Sequence, residues 1–145
     1  MRILRSLALI ILFAINLHGN SHNVYTKSAV YNEWYESFLS AAQWCGSNLP
    51  DDAFLMSIKP RIVYLYSGLK GMPMVSERDI YSIGYAELKL KEIKENQVTH
   101  LIVDAISNST KKNIYPILNS NKEKFEAIPI ANLNDKCTVV EVLDW

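Results

Sequence analysis

Between Ser28 and Cys45 the apolar residues recur at three- and four-residue steps: Val30/Tyr31, Trp34/Tyr35, Phe38, Ala41/Ala42 and Cys45. Asn32, Glu33, Glu36, Ser37, Ser40 and Gln43 fill the positions between them. This period predicts an amphipathic helix whose aromatic stripe faces a core. Thr26 or Ser28 can cap its start, and Gly46 stands where a helix end favours a left-handed residue. A second helix is predicted from Pro50-Asp51-Asp52, whose carboxylates suit the positive end of a helix dipole. Its period runs through Phe54/Leu55, Ile58, Ile62 and Leu65/Tyr66. Pro60 interrupts that run and predicts either a kink or a longer helix beginning there. Gly68, Gly71 and Pro73 close the segment in a loop.

Ser76 followed by Asp79 makes a shortened capping box, and Val75 can staple against Ile80. The helix it opens carries Ile80, Ile83/Gly84, Leu88, Leu90 and Ile93, with Glu87–Lys91 and Lys91–Glu95 at i,i+4 on its exposed face. Asn96 ends it. Beyond that point the pattern is ambiguous: Val98, Leu101/Ile102 and Ala105 suit a short helix, while His100-Leu101-Ile102-Val103 suits a buried strand. Residues 108–113 read as a polar turn, Tyr115-Pro116 and Ile128-Pro129 as boundary dipeptides, and 119–126 as a charged exposed stretch. The β-branched run from Cys137 to Trp145 predicts a strand. The sum is a mainly α chain, a single small helical domain with a short extended or β C-terminal part; α+β is the alternative.

The first residues follow a different rule. Arg2 and Arg5 precede the apolar run Leu7 to Ile15, which dissolves into Asn16, His18, Gly19, Asn20 and Ser21. A basic start, a short apolar core and small residues after it describe a secretory signal peptide. The run is well short of the ~20 apolar residues that a spanning helix needs. The expected organisation is therefore a signal peptide at 1–21 and one domain at 22–145, secreted or periplasmic, with no stable membrane insertion after cleavage.

Export changes how the rest reads. Removing Arg2 and Arg5 leaves 13 basic against 15 acidic residues, a formal charge of −2. No basic stripe remains to neutralise phosphates, which argues against nucleic acid binding. Cys45 and Cys137 are the two cysteines, and an even pair in an exported chain predicts one disulfide. It would close a loop of about 90 residues, for which chain entropy gives ~4–5 kcal/mol.

Candidate chemistry is sparse. His100 is the only internal histidine of the mature chain, and no Gly-x-Ser-x-Gly elbow surrounds any serine. A small hydrolase using His100 requires that it line a cleft beside a Ser, Asp or Glu. Asp51-Asp52 and Asn132-x-Asn134-Asp135 offer oxygen ligands without the twelve-residue calcium loop, so they read as a helix cap and a turn, and no metal is expected. Gly68-Leu69-Lys70-Gly71 lacks the spacing of a phosphate loop, and no cofactor is expected. Asn108-Ser109-Thr110 is an N-glycosylation sequon.

The segment from Phe38-Leu39 through Cys45-Gly46-Ser47-Asn48-Leu49-Pro50-Asp51 resembles the small helical pilotins of type II secretion and their non-lipidated periplasmic relatives. Its motif is Cys-Gly-x-x-Leu-Pro between two helices. The resemblance implies an α-helical module that binds a helix of a partner protein, with Cys45 as a structural half-cystine. The chain lacks the lipobox cysteine usual in that family.

The expected function is thus a non-catalytic, exported protein-binding module, a pilotin-like helper of a secretion or envelope assembly. An immunity or inhibitor protein that binds a toxin or enzyme is the alternative, and the His100 hydrolase a further one. A binder of a small apolar ligand would need an enclosed cavity of several hundred Å3, the size of typical ligand pockets. Tyr31, Trp34, Tyr35, Tyr64, Tyr66, Tyr81 and Tyr85 supply the anchor chemistry that interfaces use.

Overall fold

The structure is a computed structural model that describes residues 33–74, 84–105, 107–131, 133 and 136–143. The predicted signal peptide and the Ser76–Asp79 cap lie outside the described residues. The elements below build the compact unit Trp34–Trp145.

Helix α1 (residues 33–48) carries the predicted stripe: Trp34, Phe38, Ala41, Ala42 and Cys45 are buried, while Glu36, Ser40 and Gln43 are exposed. It runs past Cys45, so Gly46 lies inside it rather than capping it. The predicted start of a second helix at Pro50 is corrected to a turn and a strand. Pro50 to Ala53 form the turn, with the Ala53 N–H donating to the Pro50 carbonyl at 2.9 Å, and Leu55–Ser57 is the strand, β1. Helix α2 (Pro60–Ser67) starts at its proline and ends on Gly68 in the left-handed conformation (φ 75°). The predicted loop after it contains strand β2 (Gly71–Pro73).

Helix α3 (Tyr85–Glu95) ends at Asn96 as predicted. Strand β3 (His100–Asp104) resolves the ambiguous stretch. The expected polar turn at 108–113 is instead helical: residues 108 and 109 enter a π-turn (Thr110–Ile114) that continues as α4 (Tyr115–Ser120), with Pro116 in its first turn. A short 3-10 turn (Lys122–Lys124) leads to strand β4 (Phe125–Ile128), and strand β5 (Cys137–Val142) falls where the β-branched run predicts it.

The five strands form one mixed sheet in the order β2-β1-β3-β5-β4. β1 pairs parallel with both β2 and β3, whereas β5 runs antiparallel to β3 and β4. Alternate residues of the inner strands divide between two cores. Leu55, Ile102 and Val139 pack with Phe38, Ala41, Ala42 and Cys45 of α1 and Val63 of α2. Met56, Leu101, Val103 and Val140 pack with Ile93 of α3, Ile114, and Leu118 of α4. The result is a three-layer α/β/α arrangement.

The expectation of a mainly α domain is therefore corrected to a mixed α/β fold, and the physical reason lies in the inner strands. β1 and β3 are buried at every position. Strands covered on both faces lose the apolar–polar alternation that marks a half-buried strand, so Leu55-Met56 merges with the helical period around it. The expected disulfide is corrected as well. Cys45 and Cys137 reach the same apolar cluster, but both are free, buried thiols.

Candidate functional site

In an open sheet with parallel strands, the crevice beyond the carboxyl ends of strands whose connections leave in opposite directions is the usual ligand position. Here that place lies beyond β1 and β3, because β1 leads outward to β2 while β3 leads to the other half of the sheet. β1 ends on Ser57 and β3 on Asp104, both on the α1 face.

Asp104 is fully buried. Its Oδ1 accepts the Ser107 N–H at 2.5 Å, and its Oδ2 accepts the Thr110 hydroxyl at 2.6 Å. Ser107 Oγ in turn accepts the N–H groups of Ser109 and Thr110 at 3.2 and 3.4 Å. These bonds satisfy amides at the start of the 108–120 helical segment, which would otherwise be orphaned. The carboxylate thus secures the turn that follows β3. Thr110, the third residue of the sequon, is fully buried in this network, while Asn108 is exposed. Asp104 belongs to none of the sequence motifs above; its signal is an Asp three residues ahead of Ser107 and six ahead of Thr110, before a helical run. Ser57 Oγ is buried with no hydrogen-bond partner among the described residues.

Cys137 pairs with Asp104 across β3 and β5. Burial pushes its thiol up to about 12, with the neighbouring Asp104 carboxylate adding to the shift. Burial likewise pushes the Cys45 thiol up to about 12. Both are protonated at neutral pH, so neither carries the thiolate that nucleophilic or metal chemistry requires. Burial also raises Tyr115, with Asp104 next in importance.

His100 is buried at the start of β3. Its Nδ1 lies 3.0 Å from Thr99 Oγ1, and that oxygen also accepts the Phe54 N–H at 3.0 Å. Burial lowers the imidazole below its ordinary value, and Glu141, its cross-strand partner, acts in the opposite direction. A pocket of about 260 Å3 opens beside Thr99, lined by Ile93, Lys94, Val98, Val142 and Leu143. His100 is not among the described residues that line it. No group of three or more His, Cys, Asp or Glu residues that could hold a metal occurs among the described residues.

Two surfaces stand apart from these buried groups. On α2, Tyr64, Leu65 and Tyr66 are 58, 76 and 41% exposed. Trp34 is buried and Tyr35 and Tyr85 are half-buried, so α2 holds the exposed aromatics among the described candidates; Tyr31 and Tyr81 lie outside them. On the other side of the sheet, an open groove of about 190 Å3 runs between α4 and the β4–β5 pair, lined chiefly by Tyr115, Leu118, Phe125, Ala127 and Val140. It falls short of the several hundred Å3 expected for an enclosed ligand site. No helix among the described residues is long and apolar enough to cross a membrane.

No family model matches the chain, and no curated protein matches it. Among solved structures it is similar to the C-terminal globular domain of an oligosaccharyltransferase from Archaeoglobus fulgidus. That likeness has a TM-score of 0.45 at 13% identity and covers 71% of this chain and 94% of that one. The pilotin resemblance is corrected on the fold: the Cys-Gly-x-x-Leu-Pro loop leads into strand β1 of a five-stranded sheet rather than a second helix.

Proposed function

We propose that this chain is a non-catalytic protein-binding domain that acts outside the cytoplasm, in the setting of an envelope assembly, after export directed by residues 1–21. The observation that carries the reading is the α2 surface. Tyr64, Leu65 and Tyr66 are consecutive and exposed on a helix that buries Val63 and half-buries Ile62. Tyrosine and a large aliphatic together are the side chains from which interface anchors are made, and leaving them in water gains the monomer nothing. The buried groups support the same reading. Asp104 is engaged in a turn, His100 packs against Thr99, and both thiols are held neutral, so each has a structural occupation.

A photo-crosslinking residue placed at position 65 in cells tests this. The expected result is one discrete adduct with an envelope or secreted protein, absent when the probe sits at exposed Glu123. Equal labelling from both positions, or none from 65, overturns the α2 surface as the binding site. Intact mass of the exported protein tests location: loss of residues 1–21 is expected, and a full-length cytoplasmic product overturns it.

A further inference from the structure

The two edges of the sheet are built differently. β2 ends on Pro73, which has no N–H to offer a further strand and so blunts that edge. β4 at the opposite edge has the sequence Phe125-Glu126-Ala127-Ile128, without proline. Its bonding phase is set by its neighbours. The Leu143 N–H donates to the Lys124 carbonyl at 2.9 Å, while the Val142 N–H turns the other way and donates to Thr99 at 2.8 Å. With antiparallel alternation, Glu126 and Ile128 bond inward to β5, and the N–H and C=O groups of Phe125 and Ala127 point out from the sheet.

Both faces beside that edge have a defined chemistry. Glu126 lies directly opposite Glu141, which lies directly opposite His100, so the three form a row across β4, β5 and β3. Both carboxylates are exposed, and neither has an ion pair among the described residues. Like charges directly opposite each other on neighbouring strands are unfavourable. A cation supplied from beyond β4 would relieve that pair. On the other face, Phe125 and Ala127 border the apolar groove completed by Tyr115, Leu118 and Val140, with Lys122 at its rim.

We propose that the outer edge of β4, which no strand among the described residues pairs, receives an extended segment of a partner protein as a sixth strand, one that alternates basic and apolar residues. Its basic side chains meet Glu126 and Glu141 on one face, and its apolar side chains enter the α4–β5 groove on the other. Main-chain bonds to Phe125 and Ala127 supply affinity while the two faces supply specificity, as in strand addition generally. A second copy of this chain is the less favoured occupant, because β4 strands paired about Glu126 would set four carboxylates in one row. The proposal rests on the protein-binding reading but places the contact at the sheet edge opposite α2.

The test uses the full chain and two capped eight-residue peptides, alternating Lys-Val and alternating Glu-Val. The Lys-Val peptide is expected to bind and to slow hydrogen exchange at the Phe125 and Ala127 amides. Ala127→Pro removes an outward N–H and spares the bonds to β5, and should weaken binding at least tenfold. Glu126→Lys should weaken the Lys-Val peptide tenfold or more and favour the Glu-Val peptide, which keeps the test decisive if the proline variant unfolds. Equal binding of both peptides, absence of binding, protection at amides elsewhere, or dimerisation blocked by Ala127→Pro each overturns the proposal. Leu65→Asp should leave peptide binding unchanged, so failure at β4 is separable from failure at α2.

Discussion

Gly46 in α1 lies so close to the backbone of Ser67, the last residue of α2, that a Cβ on it would stand 2.5 Å from the Ser67 carbonyl oxygen and 2.7 Å from its Cα. The obstructing atoms are main chain and cannot swing aside. This glycine is therefore required for the approach of two helices and not for a left-handed turn. Gly46→Ala should cost about 1–3 kcal/mol, the usual range for overpacking, read as a fall in the urea midpoint with an unchanged slope. An unaltered midpoint would show that the helices separate at no cost.

The Asp104 network predicts a paired result. Asp104→Ala leaves the Ser107 N–H and the Thr110 hydroxyl without their acceptor, at about 1–3 kcal/mol for each buried group left unsatisfied. Thr110→Val removes the hydroxyl on the other side of one of those bonds. In a double-mutant cycle the two changes should be strongly non-additive, and simple additivity would count against the 2.6 Å bond.

The thiols predict an alkaline limit. Each is pushed up to about 12 in the folded chain against an ordinary 9.0. Above pH 9 the unfolded chain releases these protons while the folded chain keeps them, so stability falls as pH rises from 9 towards 12. The slope is up to ~1.4 kcal/mol per pH unit for each thiol. At pH 8, iodoacetamide should label neither cysteine until the chain is unfolded, when two labels should appear by mass. Prompt native labelling, or no labels after unfolding without a reductant, would contradict the buried free thiols.

His100 sets a limit at the acid side. Its folded value lies below the ordinary 6.5 because of burial, so the neutral ring is the form that packs. Its contribution is complete above pH 6.5 and is lost as pH falls through that value, where the unfolded chain takes up the proton first. His100→Gln should flatten the stability profile between pH 7 and 5. A profile that steepens instead would mean that Glu141 outweighs burial.

Leu65→Asp should separate binding from folding. Leu65 is 76% and Tyr64 58% exposed, so the thermal midpoint should stay within the small range of ordinary surface changes, while crosslinking of the partner from a probe moved to position 64 should fall at least tenfold. A variant that loses its partner only by unfolding would remove the α2 surface from consideration.

Local chemistry was legible along much of the chain. The period of α1, the start of α2 at Pro60, the end of α3 at Asn96 and the strand from Cys137 are all set by neighbours a few residues away. The candidate site was not legible in this way. Asp104 looks ordinary until β3 carries it inside and Thr110 turns back onto it. Tyr64 and Tyr66 are indistinguishable in sequence from Trp34, which is buried.

Sequence by itself determined where α2 begins and where α2 and α3 stop, because proline, left-handed glycine and asparagine act through backbone sterics that need no distant partner. Tertiary structure alone decided that Leu55–Ser57 and Gly71–Pro73 are strands, since their hydrogen bonds are made to residues remote in the chain. It also decided that Cys45 and Cys137 meet as neutral thiols, because their protonation is set by the apolar cluster that closes around them. And it left the Phe125 and Ala127 amides facing outward, a consequence of pairing phase that no single strand contains.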